Sequence, residues 1–270
     1  MKYALVCGKK TEATKGARGI CPFCGSEMEA RCGEIRINYW AHKRKSECDL
    51  WWENETEWHR SWKGHFPDDW QEVIHKADDG EKHIADVKTK QGYILEFQHS
   101  PIKPEERRSR DAFYPNLVWV VDGMRRKTDL QQFQKALANS QVSNEKPLLL
   151  RANSTDECRL LKEWFDSPSL VFFDFQDVKE KTDSKLWFLV PGISSSKAYL
   201  MWIYKNVFIE YHLDDRFDKL VNNLILPIRD HRASIVKETE RLNKKIDKQR
   251  SSSAYNKMVN KKLKRYRRKR

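Results

Sequence analysis

Two short stretches, Lys82–Lys88 and residues 93–98, constrain the fold more than any other part of the chain, because together they spell one β-hairpin. Both alternate in polarity, both carry β-branched or aromatic residues, and Gly92 lies in the gap between them. Alternation sends Ala85, Val87, Leu95 and Phe97 to one face, toward a core. Ile84, Asp86, Ile94, Glu96 and Gln98 go to the other. A loop of Lys90, Gln91 and Gly92, with Gly92 at positive φ, sets Asp86 directly opposite Glu96 with Cβ atoms about 4.5 to 5.5 Å apart. Like charges at that separation oppose folding unless a cation sits between them, and a divalent metal with oxygen ligands is the simplest candidate.

The flanking pattern predicts a helix over residues 53–65, a strand over 71–75, a helix over 104–111 and a strand over 117–121, which with the hairpin gives the order αβββαβ. Within the first helix, Glu55, His59 and Lys63 fall at i, i+4 and i+8 and form one stripe, while Trp58 and Trp62 lie on another and bury. Metal-assisted phosphodiester hydrolysis needs carboxylates for the ion, an activated water and groups that stabilise developing charge. Asp86 and Glu96 supply the first, to hold Mg2+ or Mn2+. Gln98 can orient water or phosphate, and the stripe adds Glu55 or His59 as ligand or proton acceptor and Lys63 as a charge near phosphate. Glu72, His75, His83 and His99 are lesser candidates, since a lone histidine near a strand is more often not a ligand.

Five of the six cysteines lie before residue 50, and Cys21-Pro22-Phe23-Cys24-Gly25 reads as a metal knuckle. His42 and Cys48 complete a tetrahedron, with Cys7 and Cys32 as competitors. Four protein ligands leave no open position, so the expected ion is a structural Zn2+. With no export signal, the thiols are better read as ligands or reduced groups than as disulfides.

The formal charge of +13 is concentrated at one end. Residues 240–270 hold 14 Lys or Arg against 2 acidic residues, whereas the other 239 residues hold 38 against 37. Lys261, Lys262, Lys264, Arg265, Arg267, Arg268, Lys269 and Arg270 are suited to contacting nucleic-acid phosphates through counterion release. A charged helical pattern over residues 228–248 is expected to break at Ser251-Ser252-Ser253 into a flexible tail. No apolar run approaches the roughly 18 residues of a membrane span, so the expectation is a cytoplasmic protein with no membrane partner. Four zones result: a zinc-binding module (1–50), the hairpin-bearing core (51–125), a mixed α/β region without a motif (126–225) and a basic helical arm and tail (226–270). The third zone is expected to hold a helix at 129–138 and strands at 170–175, 186–190 and 199–209.

The run of His59, Lys63, Ile84-Ala85-Asp86-Val87, Leu95-Glu96-Phe97-Gln98-His99-Ser100-Pro101-Ile102, Arg110, Tyr114 and Leu117-Val118-Trp119-Val120-Val121 resembles the CoiA-like competence proteins. Those are similar to the PD-(D/E)xK nuclease superfamily, whose restriction-endonuclease-like core is αβββαβ. The family also carries an N-terminal cysteine and histidine module, matched by Cys21, Cys24 and His42. The resemblance covers residues 19–123. It implies catalytic Asp86 and Glu96, with Gln98 where the superfamily more often has Lys, and helix residues Glu55 and His59. The missing lysine removes a charge that stabilises the transition state, so either the activity is slower or Lys88 or Lys63 substitutes. It further implies a metal-dependent DNA nuclease working in competence, recombination or defence against foreign DNA, alongside a helicase, recombinase or other assembly subunit. The rival class is a DNA-binding mediator or adaptor without turnover.

Overall fold

The computed structural model describes residues 1–34, 37–44, 48–51, 55–145, 148–152, 154–176, 184–191 and 197–267. Among these, the chain is mixed α/β with two sheets and seven helices. The first sheet uses β1 (Tyr3–Val6), β2 (Lys9–Glu12), β3 (Arg18–Ile20), β4 (Glu27–Arg31) and β5 (Tyr39–His42) in the order β2-β1-β3-β4-β5. Every pairing is antiparallel, and Trp40, Met28 and Ala4 form its small core. The cysteine-bearing segment thus folds as a sheet of very short strands.

The second sheet begins after α1 (Glu57–Lys63) with β6 (Gln71–Lys76), β7 (Lys82–Lys88) and β8 (Ile94–Gln98). It continues through α2 (Pro104–Phe113), β9 (Leu117–Asp122), α3 (Asp129–Ala138), β10 (Gln141–Glu145), β11 (Leu148–Ala152) and α4 (Arg159–Trp164). It ends with β12 (Leu170–Asp174), β13 (Lys185–Leu189) and β14 (Ala198–Tyr204), followed by α5 (Lys205–Leu213), α6 (Phe217–Leu220) and α7 (Leu226–Arg267). The nine strands run β10-β11-β14-β13-β12-β9-β8-β7-β6, so strands from residues 71–122 and 141–204 share one sheet. The α1-β6-β7-β8-α2-β9 order matches the one read from the sequence.

The centre of the sheet is parallel, β8 with β9 and β9 with β12, and a parallel sheet is stable only with both faces covered. Every residue of β8, β9 and β12 is accordingly buried. One core places Val87, Leu95, Phe97, Val118 and Val120 under Trp62 and Phe208; the other places Ile94, Trp119 and Val121 under Phe133 and Trp164. The two hairpin faces thus carry separate cores, and the face of Asp86 and Glu96 is not a solvent face. Trp58 and Trp62 fasten α1 to this sheet: both indole N–H groups donate to Asp174 Oδ2, at 3.0 and 2.8 Å.

Two further expectations change. The apolar stretch 199–209 is a strand only to Tyr204, where α5 begins. Helix α7 passes through Ser251 without breaking, as Ser251 Oγ donates back to Asp247 O at 2.8 Å. Lys261, Lys262, Lys264, Arg265 and Arg267 lie within α7, whereas Arg268, Lys269 and Arg270 fall outside the described residues. No helix among the described residues is long and apolar enough to cross a membrane.

Candidate functional site

The hairpin closes as its composition dictates. Thr89 N–H donates to Tyr93 O at 2.9 Å, and Gly92 takes φ +82 in the loop between them. The register then runs Lys88↔Ile94 and Val87↔Leu95, which brings Asp86 across from Glu96. Here side chains replace the backbone ladder: Phe97 N–H donates to Asp86 Oδ2 at 2.9 Å, and Asp86 N–H to Glu96 Oε1 at 3.4 Å. On the other side of β7, Gln71↔Val87 and Val73↔Ala85 put Glu72 across from Asp86 as well. Three carboxylates therefore stand in a row over three strands. Glu72 holds φ +45, a left-handed conformation costing about 1 kcal/mol or more for a residue with a side chain.

These groups line a cavity of about 50 Å3, room for an ion and a few waters, bounded also by Asp49, Trp51, Glu55, His59, Lys63, Gln98 and Arg110. Five carboxylates face it against two cationic side chains. Lys63 Nζ lies 2.7 Å from Glu55, 3.0 Å from Glu72 and 3.8 Å from Asp86. Burial opposes the Lys63 charge, but Glu72, Asp86 and Glu55 outweigh burial and raise its pKa, so it is a fixed cation and not a base. Burial would likewise raise Glu72, yet Lys63, the Met1 amine and the Lys2 N–H bring it down to about 2. Glu96 goes the other way. Burial first, and then the neighbouring Asp86, push it up to about 8, with Arg110 only partly compensating. Arg110 Nη1 donates to Glu96 Oε2 at 2.9 Å.

Helix α1 starts later than its pattern suggested, at Glu57, because Thr56 caps it: Thr56 Oγ1 accepts the His59 N–H, and His59 Nδ1 accepts the Thr56 N–H at 3.3 Å. Glu55 is thus outside the helix but still reaches the cavity, where Arg60 (Nη2, 2.6 Å) and Lys63 hold both its oxygens. Burial raises its pKa, but Lys63 and Arg60 prevail and lower it. His59 is buried and lines the cavity. Gln98 is also buried, with Nε2 donating to Ser100 O at 2.9 Å. Lys88 is not among the cavity's lining residues, leaving Lys63 as the lysine of the site. Asp49 had no place in the sequence reading, Arg110 entered it only through the family resemblance and without an assigned role, and Glu72 was a lesser candidate. Nothing local signals Asp49, whose partners His83 and Ile84 lie some thirty-five positions further on.

A second cluster lies in the N-terminal sheet. Cys21 directly follows β3, Cys24 and Gly25 (φ +75) turn the chain into β4, His42 ends β5, and Cys48 lies beyond it. Their ligand atoms all lie within 4.8 Å of one another, the only such group of three or more His, Cys, Asp or Glu among the described residues. Cys21 and Cys48 sulfurs are 3.8 Å apart and Cys24 Sγ is 3.3 Å from His42 Nε2. Sulfurs bound about 2.3 Å from a tetrahedral zinc stand about 3.8 Å from each other, so the set is compatible with a structural zinc. Burial pushes Cys48 up to about 12, so loading an ion releases a proton. Cys7 and Cys32 are excluded as ligands: Cys7 is exposed, and Cys32 Sγ points to Ala13 O. Metal analysis should find about one zinc per chain in the parent and little in Cys21→Ser or Cys24→Ser. A parent free of zinc would remove the assignment.

Residues 8–50, which contain all four residues of the cluster, match the family model described as "Competence protein CoiA, N-terminal domain". No curated protein and no solved structure matches the chain.

Proposed function

We propose that the chain is a metal-dependent DNA nuclease of the PD-(D/E)xK type, with the α1-β6-β7-β8-α2-β9 segment as its restriction-endonuclease-like core. The observation that carries this reading is the meeting of Asp86 and Glu96 where the hairpin ladder opens, so close in a buried setting that Glu96 is pushed up to about 8. A bound cation offsets that repulsion. Mg2+ commonly takes only one or two carboxylates, with waters and substrate phosphate completing its shell, so two protein ligands suffice.

Asp86 and Glu96 would hold Mg2+ or Mn2+, which when bound supplies Lewis acidity at a phosphate oxygen and lowers the pKa of water. Lys63 places a permanent positive charge beside Asp86, in the role the missing lysine at Gln98 would have played. Glu55 and Glu72 fix Lys63 in place. Arg110 holds one oxygen of Glu96 and so orients the other. Gln98 and His59, on the same cavity, position water or phosphate. The basic end of α7 would attract the nucleic-acid backbone.

The test is cleavage of circular single- and double-stranded DNA with Mg2+ or Mn2+. Asp86→Ala should lower cleavage at least about a hundredfold, more than is typical for losing an outer-shell partner. Equal cutting by parent and variant would refute the reading. Binding without cutting by the parent would instead favour a DNA-binding mediator of recombination, the reading to which Gln98 in place of lysine lends support.

A further inference from the structure

We infer that Asp49 is a positioning residue which couples metal occupancy of the cysteine and histidine cluster to the placement of both Asp86 and Glu96. Asp49 directly follows Cys48, a member of that cluster. Its carboxylate is only 2% exposed and is fully engaged. Oδ2 accepts the Ile84 N–H at 2.6 Å, two residues before Asp86 on β7. Oδ1 bonds His83 Nδ1 at 2.7 Å and accepts the Trp51 N–H at 3.0 Å.

From there two branches reach the acid row. One is short: Asp49 grips Ile84, and Ile84 sets the backbone that presents Asp86. The other runs through Trp51, whose ring stacks on His83 at 3.3 Å between centroids and 11° between planes. Trp51 O accepts from Arg110 Nη2 at 2.7 Å, and Arg110 Nη1 donates to Glu96 Oε2. An ion that pins Cys48 to Cys21, Cys24 and His42 therefore also pins the starting point of both branches. Without it, the Cys48 sulfur touches Cys21 Sγ at 3.8 Å, a contact between two sulfurs far weaker than coordination.

Outer-shell partners of this kind typically change metal affinity by about 10- to 100-fold when removed. The proposal rests on the nuclease reading only where Mn2+ binding is concerned, so two readouts are needed. The first is amide hydrogen exchange of Lys82–Lys88 in the full chain, zinc-loaded parent against Cys24→Ser, which keeps the Cys48-Asp49 link intact. Exchange there should rise about tenfold in Cys24→Ser and in Asp49→Ala, with no further rise in the double variant, because both changes cut the same path. The second is Mn2+ affinity, expected to fall about tenfold in each single variant and no further in the double.

A parent without zinc, unchanged exchange in Cys24→Ser, or effects that add fully in the double variant would each overturn the coupling. So would an equal rise over Leu170–Asp174, which would mean global loosening rather than a local path. Exchange that follows the expected pattern in a protein that binds no Mn2+ would support the coupling and refute the nuclease reading instead.

Discussion

Glu96→Gln should make the metal-free protein more stable at alkaline pH while abolishing the proposed DNA cleavage. The sign follows from the direction of the shift: burial and Asp86 hold Glu96 at about 8 instead of the usual 4.5, so the folded protein keeps a proton that the unfolded chain has lost. Stability is therefore full below pH 4.5 and declines as pH rises through 8, by about 1.4 kcal/mol per pH unit between the two. The accumulated loss is on the order of 5 kcal/mol, and an uncharged glutamine escapes it. At pH 9 the variant should melt on the order of 10 °C higher in a metal-free buffer; at pH 4.5 the two should coincide. On the proposed nuclease reading the same ionisation would let Mg2+ or Mn2+ bind only as the proton leaves, so cleavage by the parent should climb with pH toward 8. A variant that is no more stable at pH 9 would mean that Glu96 is not held protonated. One that still cuts would remove Glu96 from the site.

His212→Phe should be stabilising at every pH and most so in acid. His212 is fully buried in α5, stacked on Phe217 at 3.8 Å between centroids and edge-on to Phe208 at 4.6 Å, and neither ring nitrogen has a hydrogen-bond partner among the described residues. Leaving a polar group unsatisfied costs about 1–3 kcal/mol, which phenylalanine recovers at neutral pH. Burial also pulls the imidazole down to about 3 from 6.5. The folded protein stays neutral while the unfolded chain gains a proton, so stability is intact above pH 6.5 and drains away as pH falls toward 3. By pH 4.5 the additional loss is about 3 kcal/mol. Urea midpoints at pH 7 and 4.5 should separate parent and variant by the larger amount at the lower pH. Identical pH profiles would show that the histidine finds a partner.

The parts legible in the sequence were those written in short-range code. A period of two and one glycine fixed the hairpin and the meeting of Asp86 with Glu96, and the unbroken run at Leu117–Asp122 marked a central strand. The start of α1 was hidden because a histidine, rather than the usual Glu or Gln, closes the capping box with Thr56. The strands of the first sheet, three to five residues long, are too short to show a period. The roles of Asp49, Arg110 and Glu72 arise only from tertiary placement, since each meets its partner across at least nine positions of chain. The charge state of Glu96 likewise depends on α2 and the N-terminal segment closing over a face that alternation alone leaves open.

Because β9 has β8 along one edge and β12 along the other, a fragment ending at residue 125 would bare a ladder of unsatisfied amides and carbonyls on Leu117–Asp122. It would also strip Asp174 from the two indoles that anchor α1. Such a fragment is a template for intermolecular strand addition, and on expression alone it should come out as aggregate instead of a minimal catalytic unit.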